Sequence, residues 1–203
     1  MTHTTTLAEV TLWRATVSMK TTWMFLRLRD QAGCEGWGEA TSFGNEVEIS
    51  GLCAHLAELV RQQSIQGVQP LLAALRQSEI APGRRALLSA LEQAGLDLSA
   101  RRAGVPIAEM IGGARRETVP FYANINRGIA DRSPAGFAAR ARKIFDATGA
   151  CAVKIAPFDG YRWDGLDWSE RRAVLDLGLA RVDAVHAELA GAADVFVDCH
   201  ERF

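Results

Sequence analysis

Closely spaced cysteines, long apolar runs and an excess of either charge are all missing from this 203-residue chain. Its four cysteines, Cys34, Cys53, Cys151 and Cys199, stand far apart, which argues against a paired zinc site and a small disulfide scaffold and predicts reduced thiols. No apolar run reaches the ~18 residues that span a bilayer, and Met1 to Thr6 lacks the basic start and apolar core of a signal peptide. No membrane partner and a cytoplasmic location are therefore expected. Lys plus Arg total 23 against 24 for Asp plus Glu, a net charge of -1, so no cationic footprint points to nucleic acid. A small molecule is the expected partner. A G-x-G-x-x-G turn between strand and helix, a Gly-Lys-Ser/Thr phosphate loop and a Gly-x-Ser-x-Gly elbow are also lacking, which leaves nucleotide binding and esterase chemistry without support.

What is present divides into two patterns. From Leu7 to Val17, Thr22 to Arg29 and Cys34 to Thr41, β-branched, aromatic and aliphatic residues alternate with polar ones, predicting a three-stranded antiparallel meander. Helical spacing follows over Glu46 to Gln63, Pro70 to Gln77 and Arg84 to Arg102, and the turn residues around Gly104 and Gly112-Gly113 predict loops. A domain boundary is placed near Glu117, giving an α+β domain over residues 1–117. Beyond it the pattern reads strand Thr118 to Asn124, helix Pro134 to Thr148, strand Cys151 to Ala156, helix Ser169 to Leu189 and strand Asp194 to Asp198. This β-α-β-α-β order over residues 118–203 predicts parallel strands, as in a (β/α)₈ barrel or a doubly wound sheet. Ser133-Pro134 fits an N-cap before proline, and Gly149 and Gly191 fall where helix ends favour glycine.

The residues with chemistry gather at predicted strand ends, where α/β folds bind ligands. The two-residue strand period puts Asp198 and His200 on one face. Asp198 suits a hard cation such as Mg²⁺, or caps the next helix; His200 suits general acid–base work, or is simply solvated. Lys154 interrupts the apolar run Ala152 to Ala156, and an ammonium there either finds a carboxylate, for which Asp198 is the candidate, or snorkels to solvent. Asn124 and Asn126 suit substrate hydroxyls and turn formation equally. The loop Asp159 to Ser169, rich in Gly, Trp and Asp, is long enough to carry substrate contacts.

Gly36-Trp37-Gly38-Glu39-Ala40, Ala90 to Leu98, Pro106 to Gly113, Val153-Lys154-Ile155 and Val197-Asp198-Cys199-His200, in this order, resemble the mandelate racemase and muconate lactonizing enzyme group of the enolase superfamily. The resemblance implies an amino-terminal α+β capping domain followed by the first three β/α units of a (β/α)₈ TIM-type barrel. It further implies Mg²⁺ held by carboxylates on three successive strands, with Asp198 matching the first ligand, and proton abstraction next to a substrate carboxylate through a metal-stabilised enolate. Members with a second-strand lysine base carry Lys-x-Lys, whereas Ala156 occupies the second position here. The Asp-x-His arrangement is similar to that of the family's acid-sugar dehydratases, which implies that His200 is the general acid for a departing hydroxyl and Lys154 an electrostatic partner of the substrate. Loops at about Met19 to Trp23 and Thr41 to Glu48 correspond to the family's specificity loops, so Trp23 and Phe43 are candidate substrate contacts or packing residues.

The expected function is thus Mg²⁺-dependent dehydration of an aldonate or aldarate, with a racemase, epimerase or cycloisomerase as the alternative. A noncatalytic α/β binding module or inactive fragment is the alternative from another class. A (β/α)₈ barrel needs about 250 residues, so the chain is expected to be an amino-terminal portion, incomplete for catalysis alone and prone to association through an open sheet edge. A homo-oligomer is expected of the full-length protein.

Overall fold

The computed structural model describes residues 5–18, 21–76 and 81–203, which form two compact units, Met1–Arg115 and Arg116–Phe203. In the first, β1 (Leu7–Ser18), β2 (Thr21–Asp30) and β3 (Glu35–Glu39) make an antiparallel sheet in sequence order, followed by α1 (Glu46–Gln62), α2 (Gln69–Leu75), α3 (Pro82–Ala103) and the single turn α4 (Ile107–Met110). The turn α4 falls where only loop punctuation is read from sequence; four residues are too few to show a helical period. Gln77, the expected end of the second helix, lies outside the described residues.

Strand alternation sorts the sheet's two faces. Met24, Leu26 and Leu28 are fully buried against Leu56, Leu87 and Leu91 of the helices, each worth roughly 1.5–3 kcal/mol of burial. The opposite face carries Trp13, Arg27 and Trp37, with the Arg27 guanidinium 5.8 and 6.0 Å from the two indole centroids. Helix α3 then lies directly on β3. A Cβ on Gly36 would stand 2.1 Å from the Ala94 carbonyl oxygen, and one on Gly38 2.1 Å from that of Ala90, so only glycine permits this approach. The Trp37 N–H donates to Asp97 Oδ2 at 2.9 Å and the Glu39 N–H to Gln93 Oε1 at 3.1 Å. Side chains of one helix thereby occupy donors on an edge strand that would otherwise be open to pairing.

The second unit is a parallel sheet of β4 (Tyr122–Asn124), β5 (Ala152–Ile155) and β6 (Asp194–Val197), connected by α5 (Pro134–Thr148) and α6 (Trp168–Leu189). Strand β4 starts four residues later than its sequence pattern suggests. Tyr122 pairs with Ala152, the first residue of β5, so the segment before it has no ladder partner, and Pro120 lacks an N–H donor. Ser133 caps α5, accepting from the Gly136 N–H at 3.1 Å, and Gly149 ends it in the left-handed conformation. Helix α6 opens with a reciprocal capping box, Asp167 with Glu170, one residue ahead of the expected start. It closes on Ala190, at φ 47, before Gly191. Phe137, Val153, Ile155 and Val185 form the core between sheet and helices.

Candidate active site

The strands deliver their polar residues at one end. In-register pairing of Asn124 with Lys154, and the hydrogen bond from the Asp198 N–H to the Ile155 carbonyl at 2.8 Å, set the last residues of all three strands side by side. Lys154 Nζ reaches Asp198 Oδ2 at 3.1 Å and lies 5.3 Å from the Tyr122 ring centroid. The hydrogen bond to Asp198 raises the Lys154 pKa above its usual value. Asp198 is held below the usual carboxylate range, first by the His200 backbone N–H and then by Lys154.

Asp198 and His200 do meet, but not as neighbours on a strand face. β6 ends at Val197, and the chain turns with His200 at φ 46 and Glu201 at φ 55. Two consecutive non-glycine residues in the left-handed region cost about 1–2 kcal/mol each. The turn is held by its hydrogen bonds: the His200 N–H donates to Asp198 Oδ1 at 3.1 Å and the Arg202 N–H to the Cys199 carbonyl at 3.0 Å. The imidazole lies between two carboxylates, with Nε2 3.3 Å from Asp198 Oδ2 and Nδ1 2.9 Å from Asp159 Oδ1.

Asp159, in the loop after β5, is the principal residue that sequence reading missed, although its loop carried a compositional signal. Arg132 Nη2 lies 3.4 Å from its other oxygen. The buried Arg181 of α6 donates from Nε to the Arg132 carbonyl at 2.8 Å and from Nη1 to the Pro157 carbonyl at 2.7 Å. One guanidinium therefore fixes the backbone of both loops that flank the imidazole.

Asn124, Asn126, Arg127, Asp159 and His200 line an open pocket of about 510 Å³. The two asparagines divide their roles. Asn126 Oδ1 accepts the Ala156 N–H at 2.5 Å while its Nδ2 donates to Asn124 Oδ1 at 2.8 Å, so Asn126 ties β4 to β5 and the Asn124 amide nitrogen is left as a donor. Trp23 and Phe43 belong to the first unit, both exposed, with Trp23 edge-on to Phe25 at 6.3 Å. Met19 and Lys20 of the same expected loop lie outside the described residues.

Among the described residues no group of three or more His, Cys, Asp and Glu side chains is arranged to hold a metal ion. Asp198 supplies the hard oxygen donor that Mg²⁺ prefers, and fits as one ligand of such an ion rather than as a complete site.

An antiparallel α+β unit followed by a parallel β/α unit, with its polar cluster at the strands' carboxyl ends, defines the class as a capping domain joined to part of a barrel. The profile described as "Mandelate racemase / muconate lactonizing enzyme, N-terminal domain" matches residues 1–112, and the chain belongs to that family, within the enolase superfamily. It is 27% identical over 187 residues to D-galactonate dehydratase of Ralstonia nicotianae, covering 89% of this chain and 45% of that protein. To D-gluconate dehydratase of Thermoproteus tenax it is 35% identical over 116 residues, 57% of this chain and 22% of that one. The structure of a mandelate racemase/muconate lactonizing enzyme from a Sulfitobacter species superposes with a TM-score of 0.78 at 20% identity, over 98% of this chain and 54% of that one. The chain spans about half the length of the curated D-galactonate dehydratases it matches.

Proposed function

We propose that this chain carries the acid-bearing part of a dehydratase acting on an aldonate or aldarate. The observation behind this reading is the His200 imidazole, held between Asp159 and Asp198 and lining a polar pocket. The matched relatives named as D-galactonate and D-gluconate dehydratases agree with it. Dehydration removes the proton next to the substrate carboxylate and expels hydroxide from the adjacent carbon. The electron pair left by the first step becomes the new C=C bond as the C–O bond breaks, and the departing oxygen must receive a proton to leave as water. His200, as the imidazolium, donates that proton from Nε2 and is left neutral, a contribution worth about 10²–10⁴ in rate. Ketonisation of the resulting enol then gives a 2-keto-3-deoxy acid.

Lys154 balances the substrate carboxylate, and Asn124 contacts the remainder of the sugar acid. Asp198 would be one ligand of Mg²⁺, whose charge, when bound, stabilises the enolate. Ala156 offers no base, which weighs against the two-base proton transfer of a racemase. The same reading includes a homo-oligomeric full-length protein in the cytoplasm and a small carboxylate as its partner. It also holds that these 203 residues alone do not turn over, because one carboxylate ligand without a partner base is insufficient.

The test is turnover by the intact protein with Mg²⁺ on a panel of aldonic and aldaric acids. A 2-keto-3-deoxy product that disappears with chelator supports dehydration. Stereochemical inversion without loss of water, or chelator-insensitive binding without reaction, overturns it. Mg²⁺-dependent turnover by a mass-verified 203-residue chain overturns the statement about incompleteness.

A further inference from the structure

We infer that Asp159 is the positioning residue of His200: it accepts the Nδ1–H and so reserves Nε2 as the nitrogen that carries the transferable proton. This deepens the dehydratase reading and rests on it for its catalytic consequence, although the ring geometry stands apart from any reaction. A neutral imidazole has one N–H, and the nitrogen that keeps it is chosen by the hydrogen bond the ring makes. Here Nδ1 has Asp159 Oδ1 at 2.9 Å, while Nε2 has only the longer approach to Asp198 Oδ2, at 3.3 Å, an oxygen already engaged by Lys154 at 3.1 Å. The shorter contact wins the proton. The acid is the imidazolium, with a proton on each nitrogen; when Nε2 gives its proton to a leaving hydroxyl, the ring returns to the neutral Nδ1–H form with its hydrogen bond to Asp159 intact.

Asp159 is itself held in place. Arg132 reaches both Asp159 Oδ2 and the Ala156 carbonyl at 3.4 Å, and stands 5.0 Å from the Phe137 ring centroid. Arg181 anchors the Arg132 and Pro157 carbonyls from beneath, against the same ring at 5.0 Å. A carboxylate on a long loop would ordinarily wander among rotamers. Here the loop's start is bonded to a buried guanidinium, and the carboxylate is paired on the side away from the histidine. The three layers, Arg181, Arg132 and Asp159, all lie in the second unit.

Ring ¹⁵N spectroscopy reads this directly. In chelator-treated intact protein labelled at histidine nitrogen, at a pH where the ring is neutral, the His200 signals are assigned by their absence in His200→Asn. The wild type is expected to show protonated Nδ1, and Asp159→Asn to move the proton to Nε2, while Asp159→Glu keeps the wild-type form. In parallel, kcat on the sugar acid that the wild type turns over is expected to fall about 100-fold or more in Asp159→Asn with KM changed less than threefold, and to recover partly in Asp159→Glu. An unchanged tautomer in Asp159→Asn overturns the inference, and so does an effect confined to KM, which would make Asp159 a substrate contact. If Asp159→Asn does not fold by circular dichroism, Asp159→Ser takes its place under the same two criteria. A tautomer shift in a protein that dehydrates no sugar acid retains the positioning role and rejects the dehydratase reading.

Discussion

Each unit of the chain holds an aspartate against a cation beside its sheet, and the two pairs are built for different ends. In the first unit Asp30 is 2% exposed, takes the Cys34 N–H at 2.9 Å on one oxygen and pairs with Arg102 of α3 on the other. Burial pushes its pKa up, but the Arg102 and Cys34 hydrogen bonds outweigh this and hold it below the usual value. In the second unit Asp198 stays partly open to solvent beside Lys154 and His200, and His200 in turn lines a pocket. A sequestered pair ties a strand to a helix. An accessible pair can exchange its partner for a substrate group or an ion. The contrast teaches that the same residue types serve cohesion or chemistry according to whether solvent can reach them.

Substitutions can sharpen that contrast, beginning with the largest effect. His200→Asn is expected to lower kcat of the intact enzyme by about 10²–10⁴, with the denaturation midpoint of the first unit unmoved. A joint loss of stability would show that the turn serves cohesion too. Gly38→Val drives a side chain into the Ala90 backbone and is expected to destabilise the first unit by about 3 kcal/mol or more in urea titration, since strands there cannot shift without unpairing. Arg102→Ala leaves the buried Asp30 without its cation and is expected to cost about 2 kcal/mol, less than a fully buried pair because Arg102 is partly exposed.

The acid limb follows from the same pair. Because the folded pKa of Asp30 is depressed, its contribution is complete above the unfolded value of about 3.9 and is lost as pH falls through the lower folded value. Arg102→Ala removes a cause of the depression, so stability plotted against pH below about 4 is expected to fall less steeply than in the wild type. The smallest effect is Ser133→Ala, which removes the cap on α5 and is expected to cost about 1 kcal/mol by thermal or urea unfolding. A null result there would mean that Asp131, which bonds both the Ser133 N–H and hydroxyl, can take over the end of the helix.

Much of this arrangement was legible in local pattern. The switch from alternating strands to β-α-β, the Ser133-Pro134 start of α5 and the lysine within an apolar strand all follow from side-chain period and turn chemistry, and the Lys154–Asp198 pairing was expected from the cost of an isolated ammonium. The start of β4 was not legible because a strand's extent depends on where its neighbour begins. The meeting of Asp198 with His200 was expected, but through the wrong geometry. Strand alternation does not continue past Val197, and the left-handed turn that replaces it contains no glycine to announce it. Asp159 was hidden for a different reason: 41 residues separate it from His200, and no periodicity says which loop residue will stand beside a given imidazole.

The bare face that Gly36 and Gly38 turn toward α3 has one more consequence. Along β3 the side chains alternate, so a slip of one residue would drive the Trp37 indole into the space that now admits only hydrogen atoms beside Ala90 and Ala94. It would also carry the Trp37 and Glu39 N–H groups away from Asp97 and Gln93. The two glycines, residues with no side chain of their own, thus act as a ratchet: they admit one alignment of hairpin and helix and penalise its neighbours by steric exclusion and by lost hydrogen bonds together.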